Sequence, residues 1–121
     1  MFQVEVDESK NLLTVRFWQH VGPDDAKAVF QQAATLLPRL PPGFRLLTDL
    51  SGLESMEMAC VPDIRGMMDA CNKQGVDMIV RVVPDPRKDI GLNILSLFHY
   101  RRRVQIVTCA TLEEALKVLA G

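Results

Sequence analysis

Residues 44–50 read FRLLTDL, residues 53–75 read LESMEMACVPDIRGMMDACNKQG, and residues 77–83 read DMIVRVV. The first and last are mostly apolar runs of strand length, and Ser51 and Gly52 are expected to break the first one off. The middle stretch places Val61, Ile64, Met67, Met68 and Cys71 at helical spacing, which predicts a helix over about residues 59–74. Pro62 is tolerable in a first turn but costly further inside a helix. Gly75 suits the left-handed position just past a helix end. A strand, a helix and a second strand in that order form a crossover unit, so the two strands are expected to lie parallel in one sheet.

Working outward from this unit, Phe2, Val4 and Val6 alternate with polar residues. Asp7 to Asn11 supplies turn chemistry, and Leu13, Val15 and Phe17 then alternate against Leu12, Thr14, Arg16 and Trp18. Two alternating runs joined by a short polar turn predict an antiparallel hairpin. A helix should follow from Gly22, with Pro23 at its first position and Asp24 and Asp25 complementing the positive end of its dipole. Ala26, Val29, Phe30, Ala33 and Leu37 form its apolar stripe, and Pro38, Pro41, Pro42 and Gly43 end it. That stiff connector is no domain boundary, because neither side could bury a core alone. Beyond Val83, Pro84–Asp85–Pro86 reads as a turn, residues 88–98 as a helix, and VQIVTC at 104–109 as a fifth strand. Thr111–Leu112–Glu113–Glu114 has the capping-box form that opens a last helix. The expected fold is α/β: a mixed, mainly parallel five-stranded sheet with an N-terminal antiparallel hairpin and about four helices packed on it. All of residues 1–121 are assigned to this single domain.

The 121 residues carry a formal charge of −1, with 48% hydrophobic and 24% charged residues. These are ordinary globular values, unlike the low apolar fraction and high net charge of a disordered chain. Near-neutrality removes the global attraction on which non-specific nucleic-acid binding relies, so no nucleic-acid partner is expected. No stretch approaches the roughly 18 uncharged apolar residues of a membrane span. The acidic, alternating start MFQVEVDESK does not read as a signal peptide. Cys60, Cys71 and Cys109 are odd in number and form no C-x-x-C pair, which speaks against a disulfide scaffold or a structural zinc site. Reduced thiols and a cytoplasmic location are the simplest reading. With two histidines, a histidine-rich metal centre is excluded, and no metal or cofactor is expected.

Motifs for catalysis are missing: there is no P-loop, no G-x-G-x-x-G, no G-x-S-x-G and no H-E-x-x-H. Asp49 falls at the expected end of the third strand, where α/β folds often place functional groups. The plainer role is to accept hydrogen bonds from the following turn. Cys60 lies near a helix start, where the dipole favours a thiolate, yet a nucleophile also needs a base and an oxyanion site. An inert, partly buried thiol is the plainer reading. Met67 and Met68 read as core. Met56 and Met58 fall in the strand-to-helix loop, where an exposed apolar contact patch and simple packing compete. His99, Tyr100, Arg101, Arg102 and Arg103 make the only dense basic cluster. Arg101, Arg102 and Arg103 could hold an anion, or simply complement a helix C-terminus.

From Leu47 to Val83 the chain resembles the centre of a STAS domain of the anti-sigma factor antagonist-like (SpoIIAA-like) group. The features that carry the resemblance are TDLSGLESM, a helix ending in KQGVDMIV, and the register of Leu50, Leu53, Met56, Gly66, Gly75 and Met78. It extends through ILSLF and ATLEEALKVL. The family pattern opens its central helix with Asp-Ser-Ser/Thr-Gly, which falls here on Glu57–Met58–Ala59–Cys60. The position phosphorylated in classical antagonists is therefore Ala59, which has no hydroxyl to phosphorylate. Ser51 and Ser55 lie nearby but out of register. What the resemblance still implies is a docking surface, drawn from Asp49, Leu53, Met56, Glu57, Met58, Ala59, Cys60 and Asp63.

Three functions compete. The first is a non-enzymatic regulatory module that binds a partner protein, met in trans, through the loop and N-terminus of the second helix. The alternative is a carrier of a small apolar ligand or lipid, resembling Sec14-like relatives, with Arg101–Arg103 available to an acidic head group. The least favoured is a cysteine enzyme centred on Cys60. An exposed edge of the first hairpin would also permit a homodimer.

Overall fold

The computed structural model describes residues 1–83, 85 and 104–121. Along them run β1 (Phe2–Asp7), β2 (Leu12–Val21), α1 (Pro23–Leu36), β3 (Arg45–Met56), α2 (Val61–Gln74), β4 (Met78–Val82) and β5 (Gln105–Cys109). A last helix, α3, covers Leu112–Ala120. The five strands form one sheet in the order β1-β2-β3-β4-β5. β1 and β2 are antiparallel, and every later neighbour is parallel. This is the mixed sheet read from the sequence, with its hairpin at one edge. The helix expected over 88–98 and the cluster Arg101–Arg103 lie outside the described residues.

The hairpin closes on its own turn chemistry. Asp7 accepts hydrogen bonds from the Lys10 backbone N–H at 3.2 Å and the Ser9 hydroxyl at 2.6 Å. Asn11 then takes the left-handed region at φ 51°, which asparagine tolerates better than most residues. Phe2, Val4 and Val6 lie opposite Phe17, Val15 and Leu13, which gives the hairpin one apolar face.

That face joins the larger core. Leu13, Val15, Phe17, Leu46 and Ile79 from the sheet pack with Ala26, Val29 and Ala33 of α1 and with Ile64, Met67, Met68 and Cys71 of α2. The intervening strand residues Leu12, Leu47, Val80 and Val82 meet Ala115 of α3. Successive side chains on a strand point to opposite faces, so α1 and α2 cover one face of the sheet and α3 the other.

The main departure from the sequence reading is the length of β3. Ser51 and Gly52 do not break it, and it runs on to Met56. β2 uses 10 residues where β3 uses 12. The register slips between Arg16↔Asp49 and Trp18↔Gly52, and again between Gln19↔Leu53 and His20↔Ser55. Both slips are bulges, with the extra residues on β3. Asp49 closes the first one, its Oδ1 accepting the Ser51 backbone N–H at 3.0 Å and the Ser51 hydroxyl at 2.6 Å. That gives a partner to a backbone donor displaced from the ladder. A Cβ on Gly52 would lie 2.9 Å from the Cβ of Trp18. The glycine therefore marks a close approach of neighbouring strands rather than a chain break.

The second helix begins at Val61 rather than near residue 59, because Met58–Cys60 form a single 3₁₀ turn ahead of it. Pro62 sits in the first turn, where its missing N–H costs no helical hydrogen bond. Gly75 ends the helix in the left-handed region at φ 92°, as the sequence predicted. At α3 the Thr111 hydroxyl accepts from the Glu114 N–H at 3.2 Å, and the Glu114 carboxylate accepts from the Ala110 N–H at 3.2 Å. The box is thus offset by one residue from its usual form.

Candidate functional site

β2 and β3 run parallel, so both end at the same side of the sheet, and each feeds a helix there. β2 passes through Gly22 into α1, and β3 passes through Glu57 and the 58–60 turn into α2. The two exits are tied together. The Glu57 N–H donates to the Val21 carbonyl at 3.1 Å, and the Cys60 thiol donates to the same carbonyl at 3.6 Å.

Burial alternates sharply along this turn. Met56 is 6% exposed and Cys60 is fully buried, while Met58 between them is 54% exposed. Glu57 and Ala59 are exposed with it. Met56 and Cys60 act as anchors in the core, and the turn between them lifts Met58 into solvent. The expectation that places both Met56 and Met58 in the strand-to-helix loop is corrected: Met56 closes β3 as core, and of the two only Met58 is exposed.

The eight residues singled out for docking therefore divide. Glu57, Met58 and Ala59 are exposed and Asp63, in the first turn of α2, is half-buried. Leu53, Met56 and Cys60 lie beneath them in the core. Asp49 does not end its strand. It is 7% exposed, occupied by Ser51, with its other oxygen 3.7 Å from Arg16 Nε.

The thiols are unsuited to nucleophilic work. Burial raises the Cys60 thiol above its ordinary range, and the carboxylates of Glu57, Asp25 and Asp63 push the same way against one backbone hydrogen bond. Cys71 is pushed up to about 12 by burial. The helix dipole does not overcome desolvation at Cys60, so the thiol stays protonated at neutral pH. All three cysteines are free and buried.

The sequence reading missed the polar side of this exit. His20 Nδ1 lies 2.7 Å from Ser55 Oγ, and His20 Nε2 lies 2.9 Å from Glu57 Oε2. The His20 and Glu57 side chains are 57% and 51% exposed. A carboxylate can only accept, so in the neutral imidazole Nε2 carries the hydrogen and Nδ1 takes the Ser55 proton. The second bulge creates this grouping by bringing His20 opposite Ser55 instead of Glu54. Nothing in the local sequence announces a bulge, and Ser55 alone gave no reason to be paired with His20, 35 residues away. A Cβ on Gly22 would lie 3.0 Å from Glu57 Oε2, so the bare glycine also leaves room for that carboxylate.

Among the described residues there is no group of three or more potential metal ligands. No helix among them is long and apolar enough to cross a membrane. The apolar side chains of α2 pack into the core, and the helix expected over 88–98, the other wall of the groove a lipid carrier would need, lies outside the described residues.

No family model matches the sequence, and no curated protein matches it. Solved structures do. The anti-sigma factor antagonist SpoIIAA in its unphosphorylated form superposes with a TM-score of 0.69 at 15% identity, covering 100% of this chain and 99% of that one. The Bacillus cell fate determinant SpoIIAA in its phosphorylated form gives 0.65 at 15% identity, covering 98% and 99%. An anti-sigma factor antagonist from Mycobacterium paratuberculosis gives 0.59 at 19% identity, covering 100% and 96%. The chain thus has the SpoIIAA-like fold.

Proposed function

We propose that this chain is a non-enzymatic regulatory module that binds a partner protein in trans through the turn Glu57–Cys60 and the first turn of α2. The observation that carries the reading is Met58, held out in solvent between two buried anchors where two helices begin. An exposed large apolar side chain on a firmly held turn suits a contact that is buried on docking. Glu57, Ala59 and Asp63 form its surroundings, while Leu53, Met56 and Cys60 shape the turn from below and Asp49 sets the bulge that precedes it. Structural neighbours that are anti-sigma factor antagonists support a protein partner. One of them is known in a phosphorylated form. The family's phosphorylated position falls here on Ala59, so docking in this chain is not switched by phosphate at that place. Free, buried thiols fit a reducing cytoplasm.

The test is affinity capture from native cell extract with the wild-type chain, Met58→Arg and Leu116→Arg. Leu116, on α3, is exposed to 49% and serves as the off-site control. The reading expects a protein retained by wild type and Leu116→Arg and lost by Met58→Arg. Equal retention by all three removes this surface from consideration.

A further inference from the structure

The chain Ser55–His20–Glu57 shares only Glu57 with the docking turn, and its geometry has chemistry of its own. Ser55 Oγ is 2.7 Å from an imidazole nitrogen, and the other ring nitrogen is 2.9 Å from a carboxylate. A hydroxyl bonded to a base, with that base held by a third group, is the arrangement that activates a serine as a nucleophile. The ring is used in the reverse sense to the familiar serine triad: Nδ1 faces the hydroxyl and Nε2 the acid. Either nitrogen can take the proton, because imidazole is basic at whichever one lacks hydrogen. Ser55 is half-buried while His20 and Glu57 are exposed, so a donor molecule can approach from solvent.

We propose that Ser55 is a covalent acyl-acceptor site, with His20 as its base and Glu57 as a positioning residue. Ser55 Oγ attacks the carbonyl carbon of an activated ester, forming the Oγ–C bond as the bond to the leaving alkoxide breaks. The Ser55 proton passes to His20 Nδ1, and the imidazolium keeps its Nε2–H on Glu57 until the proton leaves to the alkoxide or to water. An acyl group fits this place better than a phosphoryl group. The carboxylate of Glu57 is one side chain away, and a dianion on Ser55 would meet like charge, whereas an ester is neutral. What is proposed is the acylation of Ser55, not turnover. Although Glu57 belongs to both, an adduct on Ser55 is read without any partner present, so the proposal fails or holds separately from the docking surface.

The test treats the intact chain with 4-nitrophenyl acetate and maps the adduct by peptide mass spectrometry. The expected result is one acetyl group on Ser55, formed about 10²-fold more slowly in His20→Gln, the scale of general-base assistance. In Glu57→Ala the rate also falls, and Glu57→Gln restores it in part, because the glutamine oxygen can still accept the Nε2–H and hold the ring. Both substituted side chains are more than half exposed, so circular dichroism should show the fold intact in each. Acetylation confined to lysines and the amino terminus would overturn the proposal. So would a Ser55 adduct that forms equally fast in His20→Gln.

Discussion

Two helices of this protein start in opposite ways. α3 opens on Thr111 and Glu114, which between them satisfy the backbone N–H groups of Glu114 and Ala110. α2 opens on Cys60, which makes no side-chain cap hydrogen bond and is preceded by a 3₁₀ turn with an exposed methionine. The first start follows local rules for stability. The second forgoes them and is held from below instead, by Met56, Cys60 and the bonds to Val21. Local rules tend to be broken where a surface serves something other than the fold. That contrast makes the α2 start the functional candidate and leaves α3 as structural support.

The contrast can be broken by experiment, most forcefully in alkali. Cys71 anchors α2 from the core and its thiol is pushed up to about 12. Between the ordinary thiol pKa and that value the folded chain holds a proton that the unfolded chain releases. Stability should therefore fall as pH rises, by up to about 1.4 kcal/mol per pH unit. Urea titrations across that range should show the slope in wild type and a shallower one in Cys71→Ala. Some slope should remain, since Cys60 and Cys109 are raised as well.

Next in size is the anchor beneath the turn. Met56→Ala should cost about 2–4 kcal/mol, as for other buried large-to-small changes. Met58→Ala, two residues on, should stay within about 0.5 kcal/mol, the range of ordinary surface changes. Equal losses at the two positions in urea unfolding would erase the division between anchor and exposed tip. Gly52→Val tests the bulge that sets up the turn. The new side chain must displace Trp18, and overpacking of this kind costs about 1–3 kcal/mol; thermal denaturation will report it as a lowered Tm. The smallest change is at α3, where Thr111→Ala should remove about 1 kcal/mol. A null result in chemical denaturation would mean that α3, too, is held by tertiary packing alone.

The sequence made the sheet legible because its signals were local. Alternation at Phe2–Val6 and Leu13–Phe17, the helical stripe from Ile64 to Cys71, Gly75 and the Thr111 cap each specify an element without reference to distant residues. The turn proposed to dock a partner was reached only through its register with the family it resembles. The bulges were not. Ser51–Gly52 has the composition of a turn, and only the packing of Gly52 against Trp18 on the neighbouring strand reveals that the strand continues. Met56 and Met58 look alike as residues, and their opposite fates are decided by where β3 ends: Met56 closes the strand facing the core, and the 3₁₀ turn that follows carries Met58 into solvent. The Ser55–His20–Glu57 chain follows from the second bulge and was hidden for the same reason.

The most direct measurement places a photocrosslinking amino acid at position 58 in one sample and at position 116 in another, and irradiates each in native extract. If the α2 turn docks a partner, position 58 yields a discrete crosslinked protein that excess unlabelled wild type competes away, and position 116 yields none. The same crosslinked protein at both positions, or none at position 58, would contradict the account.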